Sequence, residues 1–392
     1  MYTRYLVPAA AILLGGLGCG EVTESPLEPS AISPATVATT AGLDLREISA
    51  GFHHTCALTR NGRAYCWGQG ADGSVHLSPV AVPGGRRFRQ ISARLDYTCA
   101  VGMDYLVYCW GSHNNLGQLG DGTTNPHSTP APVSGGHRFQ QVAAGLDHTC
   151  AVSYHNGPIY CWGYNGRGEI GDGTTSLLPQ HLTPAKVASE LVFKRVAVGA
   201  AHTCAVTTDN RAYCWGSNEL GQLGDSSSTP LRTRPVRVGG NRRFRLISAG
   251  ILHSCAVTTE GRAFCWGHGL DGELGNGKTY LSFWPRAVAG GLTFQQLTSG
   301  IWHNCAVTTD SRAYCWGLGG TGQLGNRDRN IQTRPVAVLG GLQFRELAGG
   351  DEHTCGITTA GVGYCWGDND EGTLGDGTTE SSLKPVKVAG AK

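Results

Sequence analysis

The sequence predicts an all-β protein, a seven-bladed β-propeller with four short antiparallel strands and one internal disulfide in each blade. Three observations support this fold class: a glycine-rich and weakly charged composition, a repeated pair of cysteines, and four strand-like segments in every repeat. The 392 residues include 59 glycines, and charged residues make up only 15%. Closing such repeats into a ring removes long exposed sheet edges, so one propeller accounts for the whole repeated region.

Paired cysteines define the repeat. One copy of the repeated phrase reads H-T-C-A-V-T-T-D-N-R-A-Y-C-W-G over residues 202–216, and the first cysteines of successive pairs lie 43, 51, 54, 51, 50 and 50 residues apart. A period of about 50 residues is typical of propellers and solenoids. The pairs are Cys56 and Cys66, Cys99 and Cys109, Cys150 and Cys161, Cys204 and Cys214, Cys255 and Cys265, Cys305 and Cys315, and Cys355 and Cys365.

Each repeat divides into four short strands separated by turns. In the fifth repeat the strands are F-R-L-I-S-A at 244–249, H-S-C-A-V-T at 253–258, A-F-C-W at 263–266 and P-R-A-V at 285–288. Four such strands form one propeller blade. The propeller is therefore predicted to occupy residues 45–392, in units that begin near Leu45, Phe88, Phe139, Phe193, Phe244, Phe294 and Phe344.

The spacing within each cysteine pair suits a bridge across a hairpin. In the first repeat, a three-residue loop over 60–62 with Gly62 in the left-handed conformation places Cys56 opposite Cys66. Directly opposed strand positions hold Cβ atoms about 4.5–5.5 Å apart, close enough for a disulfide after slight adjustment. An even number of paired cysteines in an exported chain favours disulfides, so we expect one bridge in every blade.

Histidine and tryptophan recur beside the cysteines. Histidine stands two residues before the first cysteine in six repeats, at His54, His148, His202, His253, His303 and His353, and the second repeat has Tyr97 instead. A His-Cys-Cys set could supply three metal ligands, but no fourth ligand recurs, so we expect packing roles and no metal or cofactor. The tryptophans of the C-W-G phrase fall opposite the cysteine face, where we expect packing between blades. They are Trp67, Trp110, Trp162, Trp215, Trp266, Trp316 and Trp366.

The amino terminus is predicted to be an export signal followed by a tether. Residues 1–19 combine Arg4 with a short apolar stretch from Leu6 to Leu14, as an export signal does. The signal ends in G-L-G-C, which resembles the lipobox of bacterial lipoproteins and implies lipid attachment at Cys19; plain secretion is the alternative. Residues 20–44 are rich in Pro, Ser and Thr and are predicted to be a tether. We expect a location in the bacterial cell envelope or outside the cell.

The repeated phrase resembles a known repeat family. Residues 199–225 carry A-G-x-x-H-T-C-A-V-T followed by C-W-G and N-x-x-G-Q-L-G-D, which is similar to the repeat of the regulator of chromosome condensation family. That resemblance covers residues 45–392 and implies a seven-bladed propeller. The first repeat departs from it, because residues 69–74 lead almost directly into the fourth strand, and we expect a notch there. The family name also implies nucleotide exchange on the small GTPase Ran.

The turn between the first two strands of each repeat is the candidate binding site. Its residues change from repeat to repeat while the scaffold recurs, and they mix apolar with acidic side chains as interfaces often do. The turn shares a face with the long loop before the fourth strand. The candidate residues are Phe52, Leu95, Asp96, Leu146, Asp147, Ile251, Leu252, Ile301, Trp302, Asp351 and Glu352.

These features predict a noncatalytic, monomeric binding or scaffold protein that presents one face to a protein or glycan. A net charge of +2 with no basic tail argues against nucleic-acid binding, and the membrane is expected to be reached through the lipid anchor alone. Two alternatives remain: a hydrolase or lyase of extracellular polymer with carboxylates at the central channel, and a nucleotide-exchange regulator. We find no catalytic motif in the sequence.

Overall fold

A computed structural model describes residues 42–391, and the predicted seven-bladed propeller is confirmed. Seven four-stranded sheets surround one axis, and in each sheet the strands are hydrogen-bonded in chain order and run antiparallel. The predicted signal over 1–19, Cys19 and the tether up to residue 41 lie outside the described residues. The propeller begins slightly earlier than predicted, because Leu43 is buried and pairs with Ala391.

The first strand of each blade lines the axis and the fourth lies at the rim. The innermost strands are β1 (Leu45–Ala50), β5 (Phe88–Arg94), β9 (Phe139–Ala144), β13 (Phe193–Val198), β17 (Phe244–Ala249), β21 (Phe294–Ser299) and β25 (Phe344–Gly349). The second strands are β2 (His54–Thr59), β6 (Tyr97–Gly102), β10 (His148–Ser153), β14 (His202–Thr207), β18 (His253–Thr258), β22 (His303–Thr308) and β26 (His353–Thr358).

The third and fourth strands complete each blade. The third strands are β3 (Ala64–Gln69), β7 (Val107–Gly111), β11 (Ile159–Asn165), β15 (Ala212–Ser217), β19 (Ala263–Gly267), β23 (Ala313–Gly317) and β27 (Gly363–Gly367). The fourth strands are β4 (Val75–Ala81), β8 (His127–Pro132), β12 (Ser176–Lys186), β16 (Leu231–Arg237), β20 (Ser282–Ala287), β24 (Gln332–Ala337) and β28 (Ser382–Lys387). Strand β20 starts earlier than the predicted 285–288, because Ser282 already pairs with Gly267.

The predicted disulfides are confirmed in all seven blades. In the first hairpin Cys56 lies opposite Cys66, as the three-residue loop requires. The extra residue of the third hairpin lies at its tip, so Cys150 still faces Cys161. The paired Cα atoms are 4.0–4.1 Å apart in every bridge. The other five bridges join Cys99 to Cys109, Cys204 to Cys214, Cys255 to Cys265, Cys305 to Cys315 and Cys355 to Cys365.

Each blade packs its tryptophan face against the cysteine face of the preceding blade. Trp162 of the third blade lies in one core cluster with Cys99 and Cys109 of the second, and Trp67 of the first lies with Cys355 and Cys365 of the seventh. A large ring against a compact disulfide fills the wedge between two sheets without a void. The tryptophans are therefore core residues, as expected.

Candidate functional site

The turns and loops predicted to share a face do so, and we call this end of the propeller the loop face. In every blade the chain leaving the third strand hydrogen-bonds to the turn between the first two strands. Ser112 N donates to Asp96 O at 3.0 Å in the second blade, and His268 N donates to Leu252 O at 2.9 Å in the fifth. The loop face therefore combines the variable turns with the long loops.

At the axis, the first residues of several turns form an apolar plug. Phe52, Leu95, Leu146 and Ile301 surround a space too narrow for a water molecule, together with Arg94 and Asp351. Backbone bonds tie neighbouring turns together, such as Phe52 N to Leu95 O at 3.1 Å. Ile301 and Asp351, two candidate binding residues, are only 6% and 7% exposed. The structure therefore assigns these two side chains to the plug.

Arg94 and Asp351 place charges inside the plug. Burial raises the pKa of Asp351 to about 7, although the nearby Arg94 guanidinium acts in the opposite direction. Burial also lowers the pKa of Arg94. The six other blades have glycine where Arg94 stands, and a Cβ at those glycines would lie within 3 Å of atoms already present, in five of them the ring of the following histidine. The second blade has room for Arg94 because Tyr97 replaces that histidine.

The second residues of the turns form a more accessible ring around the plug. Leu252 and Trp302 are half-buried, and Glu352 is exposed. Asp96 binds His53 at 2.9 Å, and Asp147 binds His113 at 3.1 Å. Burial acts to lower the pKa of His53, but the hydrogen bond and the charge of Asp96 outweigh burial, and the pKa is raised.

A cavity in the central channel below the plug is lined mostly by small, uncharged side chains. This cavity of about 180 Å³ is bounded by Ser, Ala, Thr, Val and Gln side chains of the innermost strands. Arg94 is the one charged residue in this lining, within the described part of the chain. Hydrolysis of a polymer by a carboxylate pair needs two carboxyl groups in one site. None bounds this cavity, but Glu47 and Glu346 lie partly buried on the innermost strands β1 and β25, and burial together with the nearby charge of Glu47 raises the pKa of Glu346.

The recurring histidines connect the blades. His202 Nε2 lies 2.8 Å from Ser254 Oγ of the next blade, and His253 Nε2 lies 3.0 Å from Asn304 Oδ1. The Asn304 amide nitrogen donates to Glu273 O, so its oxygen must accept from the imidazole. Burial lowers the pKa of His202 and His303 to about 3, so these rings are neutral. In the second blade Tyr97 takes the place of the histidine, and its Oη lies 3.0 Å from Thr149 Oγ1 of the third blade.

One cluster that could hold a metal was not predicted. His268, Asp271 and Glu273 bring potential ligand atoms within 4.8 Å of one another on the loop face. Their present hydrogen bonds explain the arrangement without an ion, because Glu273 accepts from His268 Nδ1 at 2.7 Å and from Asp271 N at 3.0 Å. Arg94 was also missed, although it stands out when position 94 is compared with the glycine of the other repeats.

These features define a class of protein: a disulfide-linked seven-bladed propeller whose loop face carries the variable residues. A family model described as the RCC1-like domain matches residues 13–341 and, in a second match, 154–392. The chain therefore belongs to the RCC1-like domain family. Within residues 42–391, no helix has the length and apolar character needed to cross a membrane.

Relatives and solved structures agree with this assignment. The chain is 31% identical over 278 residues to the ultraviolet-B receptor UVR8 of Arabidopsis thaliana, a match covering 69% of this chain and 51% of UVR8. It is 30% identical over 167 residues to the human probable E3 ubiquitin-protein ligase HERC6, covering 41% of this chain and 16% of HERC6. Prp20p of Saccharomyces cerevisiae has a TM-score of 0.73 at 21% identity, covering 84% of this chain and 87% of Prp20p, which shows a shared fold.

Proposed function

We propose that the protein is a noncatalytic binding module whose loop face receives a protein or glycan partner. The observation that carries the proposal is the ring of turn residues around the plug. Half-buried Leu252 and Trp302 lie in the adjacent fifth and sixth blades of this ring, and acidic Asp96 and Asp147 lie in its second and third blades. Partly exposed apolar anchors surrounded by polar groups are typical of interfaces with a central hot spot.

The alternatives receive less support from the site. The cavity of about 180 Å³ in the channel has no carboxylate in its lining, so a hydrolytic pair would have to lie elsewhere on the innermost strands. Nucleotide exchange is what the family name implies, and Prp20p, which shares the fold, is a protein whose binding to Gsp1p and histones has been described. An exchange regulator of this kind would be intracellular, where disulfides are rare, whereas the seven disulfides of this chain favour an oxidising compartment.

We further propose that the mature protein lies in the cell envelope, anchored through a lipid on Cys19. Seven bridges support an extracytoplasmic location, and the lipobox-like end of the signal supports the anchor. The intact mass of protein from its source cells, before and after reduction and alkylation, tests both points. A chain that starts at an acylated Cys19 and gains fourteen alkylated thiols only after reduction is the expected result. An uncleaved chain with free thiols would overturn the proposal.

Site-specific crosslinking tests the loop face. A photo-reactive residue in place of Trp302 should yield a specific adduct in the source cells, because this side chain borders the plug on the loop face. The same residue in place of Met103, which is exposed in a hairpin on the opposite face, should not yield that adduct. Binding of the captured partner should fall in Trp302→Ala and Leu252→Ala but not in Met103→Ala. Equal adducts from both positions, or none, would contradict a partner on the loop face.

A further inference from the structure

In six blades, the long loop before the fourth strand seals the tryptophan of the next blade. One loop carbonyl accepts two hydrogen bonds: Gln118 O receives Trp162 Nε1 at 2.8 Å and Thr149 Oγ1 at 2.9 Å. The same pair of bonds recurs at the carbonyls of Glu169, Gln222, Glu273, Gln323 and Thr373. The loop thus supplies a fixed acceptor to each indole.

The two residues after that carbonyl complete the seal. The first is a fully buried leucine or isoleucine, such as Leu119, Leu223 or Leu324. The second is a glycine that lies flat on the indole, because a Cβ at Gly224 would stand 2.7 Å from the ring of Trp266. A carbonyl, a branched aliphatic side chain and a glycine therefore form the complement of each tryptophan.

The first blade lacks this complement. Gly68 pairs with His76 across its shortened loop, whereas Gly111 pairs with His127 in the second blade. The short loop closes on itself through Gly70 N to Ser74 O at 2.6 Å. No loop carbonyl within residues 42–391 reaches Trp110 Nε1, and Trp110 is 6% exposed while its six equivalents are at most 1% exposed.

A cavity occupies the space that the missing loop would fill. It measures about 250 Å³, and Trp110 and Cys66 form its floor beside the apolar side chains of Val80, Val82 and Pro83. Asp72, His76, Ser128 and Thr129 add polar groups to its lining. A second, smaller cavity shares Cys66 and Trp110 with the first and is also bounded by Thr98, whose equivalents in the other blades donate to the loop carbonyl.

We propose that this notch is a binding site for a loop of a partner protein. The loop presents a backbone carbonyl to Trp110 Nε1 and Thr98 Oγ1, inserts a leucine or isoleucine side chain, and lays a glycine on the indole. In the six sealed blades a loop of this chain occupies the equivalent surface, and those loops define the chemistry of the proposed occupant. The notch lies in the first and second blades and borders the turn ring at Asp96, whereas Leu252 and Trp302 lie in the fifth and sixth blades. Its test is therefore separate from the test of the loop face at Trp302.

A peptide that copies the loop of the second blade, residues 114–121, is the direct probe. The full-length oxidised protein, labelled with 15N at its tryptophans, is titrated with this peptide and followed through the indole N–H resonances. We expect one resonance, assigned to Trp110 by its loss in Trp110→Phe, to move and to become protected from hydrogen exchange. The resonances of the six sealed tryptophans should stay in place, because each of their indole N–H groups already donates to a loop carbonyl.

Two altered peptides and a sugar serve as controls. A peptide with Asp at the position of Leu119, and one with Val at the position of Gly120, should both fail, because a charge or a Cβ cannot enter the slot. N-acetylglucosamine should leave the Trp110 resonance unchanged. Three results would each overturn a peptide-loop site. They are a Trp110 resonance that does not move with the parent peptide, equal shifts with the altered peptides, and a response to the sugar alone.

Three protein variants separate binding from folding. Trp110→Phe keeps an aromatic ring but loses the donor and its resonance, so its peptide affinity is measured by calorimetry and is expected to fall about fivefold to tenfold. Trp266→Phe, in a sealed blade, is the matched control and should bind the peptide normally. In a third variant residues 218–230 replace residues 70–74 and restore the long loop. Its Trp110 resonance should be protected without peptide and should not respond to it; an unchanged response would contradict the proposal.

Discussion

His353 Nε2 lies 2.8 Å from Thr55 Oγ1, and this contact joins the last blade to the first across 298 positions of the sequence. The same bond links each blade to the next around the ring, with Tyr97 in place of histidine in the second blade. The hydroxyl of Thr55 in turn donates to Thr373 O at 3.0 Å. The closure of the propeller therefore uses the same polar contact as every other blade junction.

Replacing Thr55 should weaken that closure. Thr55→Val removes the acceptor of His353 and one donor to Thr373 O while keeping the shape of the side chain. We expect a loss of about 1–3 kcal/mol in the free energy of unfolding, because buried polar groups remain without partners. Urea unfolding of the oxidised protein measures it. Thr98→Val is the control and should lower the free energy of unfolding by less. Thr98 Oγ1 bonds to His54 Nε2 but donates to no loop carbonyl within residues 42–391. Equal losses would contradict this account.

Acid should destabilise the protein through its buried histidines. Burial lowers the pKa of His54 and His148 to about 4 and of His353 to about 3, from 6.5 in the unfolded chain. The unfolded state therefore binds more protons, and stability is lost as pH falls from about 6.5 toward 4. Unfolding free energy measured at several pH values tests this expectation. His202→Gln, which can still donate to Ser254, should show a shallower slope; an unchanged slope would assign acid sensitivity to other groups.

A rise in pH should destabilise the protein through its buried glutamates. Burial raises the pKa of Glu47 and Glu169 to about 7 and of Glu346 to about 8, from 4.5. The folded state holds these protons more tightly, so their contribution is complete below about pH 4.5 and is lost as pH rises to 8. Glu346→Gln should reduce the loss of stability between about pH 4.5 and 8 and should leave the loss of stability below pH 6.5 unchanged. A decline of the same size in the variant would show that Glu346 is not responsible.

Arg94 and Tyr97 should be energetically coupled. Tyr97→His alone places an imidazole against the Cβ of Arg94, whereas the other blades combine histidine with glycine at these two positions. We expect Tyr97→His to be destabilising and the added Arg94→Gly to recover part of the loss. The coupling measured by a double-mutant cycle in urea should be about 1 kcal/mol or more. Additive effects would mean that the two positions do not share space.

The Cys56–Cys66 bridge should be the first to be reduced. Cys66 is partly exposed at the notch, whereas the other thirteen paired cysteines are fully buried. A thiolate must reach sulfur to attack it, so access controls the rate. Alkylation and peptide mass analysis after brief treatment with a mild reductant should find Cys56 and Cys66 labelled first. Restoring the long loop of the first blade should remove this preference, and simultaneous labelling of several bridges would contradict it.

Local pairing could be predicted from sequence much better than contacts between blades. The opposition of Cys56 and Cys66 follows from the three-residue loop between them, and the burial of the tryptophans follows from strand alternation. The bond from His202 to Ser254 joins two repeats, so its partner depends on how the sheets stack. The open slot at Trp110 was anticipated only as a notch, because no local pattern tells which carbonyl another blade would supply. The burial of Asp351 likewise depends on seven turns meeting at one axis.

Every disulfide joins two cysteines that are consecutive among the fourteen pair-forming cysteines of the propeller, ten or eleven residues apart. A chain oxidised from its amino terminus as it crosses a membrane would therefore acquire each native bridge as soon as both partners emerge. No bridge has to wait for a distant segment, and none has to be exchanged for another. The order of synthesis itself specifies the correct pairing out of the very many that fourteen thiols allow, so oxidative folding of this protein should depend on a thiol oxidase and not on a disulfide isomerase.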